Sequence, residues 1–180
     1  MLFSYAECMK TYGSAYQIKK AVHSGKIFQI EKGIYSDEKY VSELQIIAMK
    51  YSKAIFTMNS AFYYHGLTDV IPDYYCIQTV RGASKIRDIR IKQVFENSVD
   101  IDTGKTKLIY DGTEINIYNK ERMFIELVRS KNRLPFDYYK EIIDSYRRII
   151  NKLDIQAIEE YACVLPKTNM VMDTLQMEVL

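Results

Sequence analysis

The sequence predicts an α+β protein with helices and strands segregated along the chain. Three observations carry this. Apolar residues recur at helical spacing in short segments near the N-terminus and again beyond residue 120. Between them, from residue 74 to residue 118, the texture shifts to runs of β-branched and aromatic residues. Two of those runs meet at Asp111-Gly112, a dipeptide favoured in two-residue hairpin turns.

Taken in order, Leu2, Phe3, Ala6 and Met9 share one helical face, so Leu2 to Lys10 is expected to be a short helix stopping at Thr11-Tyr12-Gly13. Ser14 suits an N-cap. The second helix then buries Ala15, Ile18 and Val22, points Tyr16, Gln17, Lys19, Lys20 and His23 elsewhere, and ends at Gly25. Lys26 to Ser36 reads as a hairpin turning at Glu31-Lys32-Gly33. Helix, turn, helix and hairpin follow one another in the order of a winged helix-turn-helix. A domain boundary is expected near Ser36 to Tyr40, giving an N-terminal winged helix-turn-helix over residues 1–38 and a mixed α/β domain over residues 39–180.

In that second domain, helices are expected over Lys39 to Tyr51 and Asn59 to His65. A small sheet of about four strands should follow, from Tyr74 to Val80, Ile86 to Phe95, Lys107 to Tyr110 and Glu114 to Tyr118. Asn119 is placed to cap a helix from Lys120 to Lys131 with Met123, Phe124, Leu127 and Val128 buried. Pro135 separates it from Tyr138 to Ile150, Asp154 suits the start of Ile155 to Leu165, and Val171 to Val179 forms the last of the C-terminal helices.

Composition narrows the function. The chain of 180 residues carries a net charge of only +2, yet residues 1–36 hold five lysines (Lys10, Lys19, Lys20, Lys26, Lys32) against Glu7 and Glu31. The other 20 basic and 21 acidic residues nearly cancel, so the surplus sits in the helix-turn-helix segment, where a nucleic-acid module is expected. No run of apolar residues is long enough to span a bilayer, and Met1 to Lys10 has its only lysine after its apolar stretch, the reverse of a secretory signal. A cytoplasmic protein without a membrane partner is expected. Cys8, Cys76 and Cys163 are widely spaced and odd in number, His23 and His65 have no ligand spacing, and no metal or cofactor is expected.

The second helix of such a module enters the major groove, where polar side chains reach base edges and flanking cations meet phosphates. The candidate DNA-binding residues are therefore Ser14, Tyr16, Gln17, Lys19, Lys20 and His23, with Lys26 and Lys32 at the base and tip of the wing. Arg81, Lys85, Arg87, Arg90 and Lys92, opposed only by Asp88, form a possible second phosphate surface. Enzymatic readings lack their partners. Asp100-Ile-Asp102 matches a magnesium-binding D-x-D, but the only Gly-Ser is the distant Gly13-Ser14. Pro72-Asp73 could open a nuclease site, but Arg90-Ile91-Lys92 stands where an acid must hold the metal. Ser60 and His65 have no triad context, and no phosphate-binding glycine motif is present. The chain is not expected to be an enzyme.

The segment from Ser14 to Tyr35, closing on Gly33-Ile34-Tyr35, resembles the recognition helix and wing of AbiE-type antitoxins. The resemblance extends through Asn59-Ser-Ala-Phe-Tyr-Tyr-His-Gly-Leu-Thr-Asp69 with Ile71-Pro72, and Tyr118-Asn-Lys-Glu-Arg-Met-Phe-Ile-Glu-Leu127, so it covers residues 14 to roughly 165. It implies a type IV antitoxin: a winged-helix repressor of its own operon whose second domain counters a neighbouring nucleotidyltransferase toxin without a stable complex. That family commonly begins with an additional helix, whereas this sequence starts at the first helix of the motif. The Ser60 and His65 stretch is expected to pack the second domain, the imidazole capping a helix end and Gly66 making the turn. A protein-interaction module with a degenerate winged helix is the alternative.

Overall fold

The computed structural model describes residues 1–97 and 100–180 and is α+β. The chain divides into two compact units, Met1–Ser52 and Lys53–Leu180. The division falls beyond the Ser36 to Tyr40 stretch that the order of segments suggests, because the helix Glu43–Lys50 packs with the N-terminal strand.

The first unit runs β1 (Leu2–Ser4), α1 (Tyr5–Tyr12), α2 (Ala15–His23), β2 (Phe28–Glu31), β3 (Ile34–Ser36) and α3 (Glu43–Lys50). Its sheet has the order β1-β3-β2, antiparallel throughout. The expected helix from Leu2 is corrected here: Leu2, Phe3 and Ser4 pair with Ser36, Tyr35 and Ile34, and the helix starts only at Tyr5. Ser4 enforces that start. Its hydroxyl accepts the Glu7 N–H at 3.2 Å while the Glu7 carboxylate accepts the Ser4 N–H at 2.7 Å, a reciprocal cap that satisfies two orphan donors. Gly13, at φ 78°, ends α1 in the left-handed region, and Ser14 at once caps α2 by accepting the Gln17 N–H at 3.2 Å. The tightness of that turn brings Cys8 against Ile18 and Ala21, which with Ile27 and Tyr35 form the unit's core. Lys50 of α3 bonds Glu31 of β2 at 3.1 Å.

The second unit runs β4 (Ile55–Phe56), α4 (Met58–Tyr64), β5 (Tyr75–Val80), β6 (Ile91–Glu96), β7 (Lys105–Tyr110), β8 (Thr113–Tyr118), α5 (Lys120–Ser130), α6 (Phe136–Ile149), α7 (Ile155–Val164) and α8 (Thr168–Thr174), closing on a wide π-type turn over Leu175–Val179. Its sheet has five strands rather than about four, in the order β6-β5-β4-β8-β7. The additional strand is the two-residue β4, antiparallel to β5 and parallel to β8, so it joins the two halves of the sheet. The helices bury Phe124, Leu127, Ile142, Tyr146, Ile158, Ala162 and Val171, with the Phe124 ring edge-on to that of Tyr146.

Three polar devices fix this unit. Ser60 on α4 accepts the Cys76 N–H at 2.8 Å and donates to the Tyr74 carbonyl at 3.3 Å, tying α4 to β5. The His65 imidazole does not cap α4; its Nε2 meets the Tyr118 carbonyl of β8 at 2.6 Å. Arg122 of α5 is fully buried and bonds Glu96 at 3.2 Å and Glu126 at 3.0 Å, while Arg129 bonds the same two carboxylates, so two cations and two anions cancel inside the core. Arg122 also donates to the carbonyls of Asp100 and Thr103 and stacks on the Tyr118 ring. Asp102 pairs with Lys105 at 3.1 Å. The Asp100-Ile-Asp102 segment is thus a turn strapped to α5. Cys8 and Cys76 are buried, whereas Cys163 on α7 is exposed.

Candidate nucleic-acid interface

Of the five N-terminal lysines, α2 displays Lys19 and Lys20. Ile18 and Ala21 face the core, so the helical period carries Tyr16, Lys20 and His23 to the opposite side, with Lys19 and Gln17 on the flanks. All five are exposed, Tyr16 at 72%. Ser14 is spent on the cap. Its hydroxyl fixes the start of the helix rather than standing free.

Beyond the helix, the Lys26 N–H returns to the Ala21 carbonyl at 3.0 Å and its side chain emerges where the chain enters β2. Lys32 is exposed in the turn between β2 and β3, beside Gly33 at φ 82°. The nearby carboxylates are occupied: Glu7 holds the α1 cap and Glu31 meets Lys50. Lys19, Lys20, Lys26 and Lys32 have no ion pair among the described residues. Cationic groups left without counter-charge are what phosphate binding requires.

Between α2 and the β2–β3 hairpin lies a half-open cavity of about 150 Å³, lined by Ile18, Lys19, Val22, His23, Gln29 and Tyr35. Gln29 and Tyr35 are cross-strand partners and so share the face of the sheet that meets α2. Burial pushes the Tyr35 hydroxyl above its ordinary pKa. The cavity gives Lys19 and His23 a boundary with the hairpin that helical periodicity does not disclose. Gln29 and Tyr35 lie outside the sequence-derived set, and the strand pairing that places them emerges only once the register is known.

The second cationic group is split. Arg81, Lys85 and Arg87 are exposed on the loop between β5 and β6. Arg90 bonds Asp88 through both Nε and Nη2, at 2.9 and 2.7 Å. Lys92 lies on β6 opposite Cys76. Among the described residues, no group of three His, Cys, Asp or Glu side chains is arranged to hold a metal ion, and no helix is long and apolar enough to cross a membrane. No protein-family model matches the chain, and comparison with characterised proteins yields no match.

Proposed function

We propose that this chain is a winged-helix DNA-binding autorepressor and the antitoxin of a type IV toxin-antitoxin operon, opposing a nucleotidyltransferase toxin without a stable complex. The observation that carries the DNA-binding half is the outward face of α2, where lysines without counter-ions flank Gln17 and Tyr16 on a helix seated on its own core. The order α1, tight turn, α2 and antiparallel hairpin supports the winged-helix assignment. The antitoxin half rests on the resemblance of residues 14 to roughly 165 to AbiE-type antitoxins. An autorepressor acts beside its promoter, so the reading implies a cytoplasmic protein whose partner is the promoter DNA of its own operon.

Gel-shift titration of the full chain with that promoter and with unrelated duplex tests this. A single recognition helix reads few base pairs, so binding to two inverted half-sites is expected, tighter on the promoter than on unrelated DNA. Gln17→Ala should relax that preference by the roughly 1–3 kcal/mol of a base-edge contact and leave the salt dependence alone. Lys19→Ala with Lys20→Ala should weaken binding to both duplexes and lower the salt slope by somewhat less than two. Equal affinity for promoter and unrelated duplex at physiological salt would sink the sequence-specific reading.

A further inference from the structure

Strands β5 and β6 are parallel neighbours, with Tyr75 opposite Ile91 and Val80 opposite Glu96. The chain leaving Val80 must therefore travel back along the sheet, about 17 Å for six paired residues, before β6 can begin. Parallel strands usually need a dozen or more residues and a helix to make that return. Here residues 81–90 make it without a helix. Turns at both ends, with the Ala83 N–H on the Val80 carbonyl and the Ile91 N–H on the Asp88 carbonyl, leave a short extended strap between them.

Gln93 fastens the strap to the sheet. Its side-chain oxygen accepts the Ile86 N–H at 2.8 Å, and its amide nitrogen donates to the Ser84 carbonyl at 3.2 Å and to the Thr79 hydroxyl at 2.8 Å. Lys85 lies between the two backbone groups so held. Strand alternation puts Lys92 on the opposite face from Gln93, where it stands near Cys76. Arg90 is neutralised by Asp88. The strap itself carries Arg81 at one end, Lys85 in the middle and Arg87 towards the other, all exposed and without an ion pair among the described residues.

We infer that the strap from Arg81 to Arg87 is a second DNA-binding surface, which takes the phosphodiester backbone of duplex DNA without regard to sequence. The inference rests on the reading of the chain as a DNA-binding protein for the identity of the polyanion. Three exposed cations spread along the strap can each meet a phosphate of one duplex backbone. A strap already held by Gln93 meets them without the ordering that a free loop undergoes on binding. Ile89, 90% exposed beside these cations, also suits an anionic lipid surface, so the test includes one.

The experiment uses the full chain with Arg81→Gln, Lys85→Gln and Arg87→Gln combined, titrated against promoter and unrelated duplex over a range of salt. Each phosphate contact contributes about 0.9 to the slope of log affinity against log salt, so the slope should fall by about two to three on both duplexes alike. Arg81→Lys with Arg87→Lys should keep the slope, with circular dichroism confirming the fold of both variants. An unchanged slope overturns the inference, as does strap-dependent binding to phosphatidylserine vesicles in place of DNA. The two surfaces fail separately. Loss of binding from the strap variant alone, with the Lys19 and Lys20 substitutions silent, removes the role of α2 and keeps the strap; the reverse pattern removes the strap and keeps α2.

Discussion

His65 shows how one half-buried base links composition to pH. Its Nε2 meets the Tyr118 carbonyl, a contact a neutral imidazole makes by donating its single N–H, and burial holds its pKa below the ordinary 6.5. As pH falls through the unfolded value towards the lower folded one, the unfolded chain takes up a proton that the folded chain refuses. Stability contributed by neutral His65 is therefore present above about pH 6.5 and is lost progressively below it. Thermal unfolding should show a falling Tm between about pH 7 and pH 5, and His65→Gln should flatten that stretch of the curve. An identical pH dependence in the variant would show that another group governs it. The sequence marks His65, beside Gly66 and Leu67, as a packing residue whose imidazole caps a helix end, whereas the imidazole bonds β8 instead. Its partner lies 53 residues away on β8, a separation that local spacing does not encode.

Helix α5 gives the clearest case of an element whose surface pattern was legible and whose interior was not. Met123, Phe124, Leu127 and Val128 announce its buried face, and Asn119 caps it by accepting the Arg122 N–H at 2.9 Å. Nothing in that pattern reveals that Arg122 is buried with them, because its partner Glu96 comes from β6. Arg122→Met strips one cation from two buried carboxylates and frees the carbonyls of Asp100 and Thr103, and should cost about 3–5 kcal/mol in urea unfolding. Replacing Arg122 and Glu96 together by Met and Gln should recover much of the loss, since Arg129 and Glu126 then remain as a balanced pair and no uncompensated charge is left. Strand β4 was illegible for another reason: two residues are too few to show a period. Strand β1 is hidden in the sequence because Leu2 and Phe3 continue the helical spacing of Ala6 and Met9, and only the Ser4 to Glu7 cap marks the true start of α1. Strand β6 starts at Ile91 rather than Ile86 because residues 81–90 are consumed by the return along the sheet.

At the scale of the whole chain, the concentration of lysines in residues 1–36 is visible in the sequence and the extent of the first unit is not, because α3 belongs to it through packing rather than composition. Each unit has its own core, and the first is small enough for one contact to matter. Ile18 is 2% exposed beside Cys8, and Ile18→Ala should remove about 2–4 kcal/mol, a large fraction of what about fifty residues can supply. The placement of the three cysteines turns that into something countable. Cys163 stands at the surface of α7, Cys8 lies in the first core and Cys76 lies beneath α4 in the second, with burial raising the pKa of both hidden thiols. A thiol reagent should therefore modify one site per folded chain at once. The other two should react only as their own unit opens, so that Ile18→Ala hastens modification at Cys8 and leaves the clock at Cys76 unchanged.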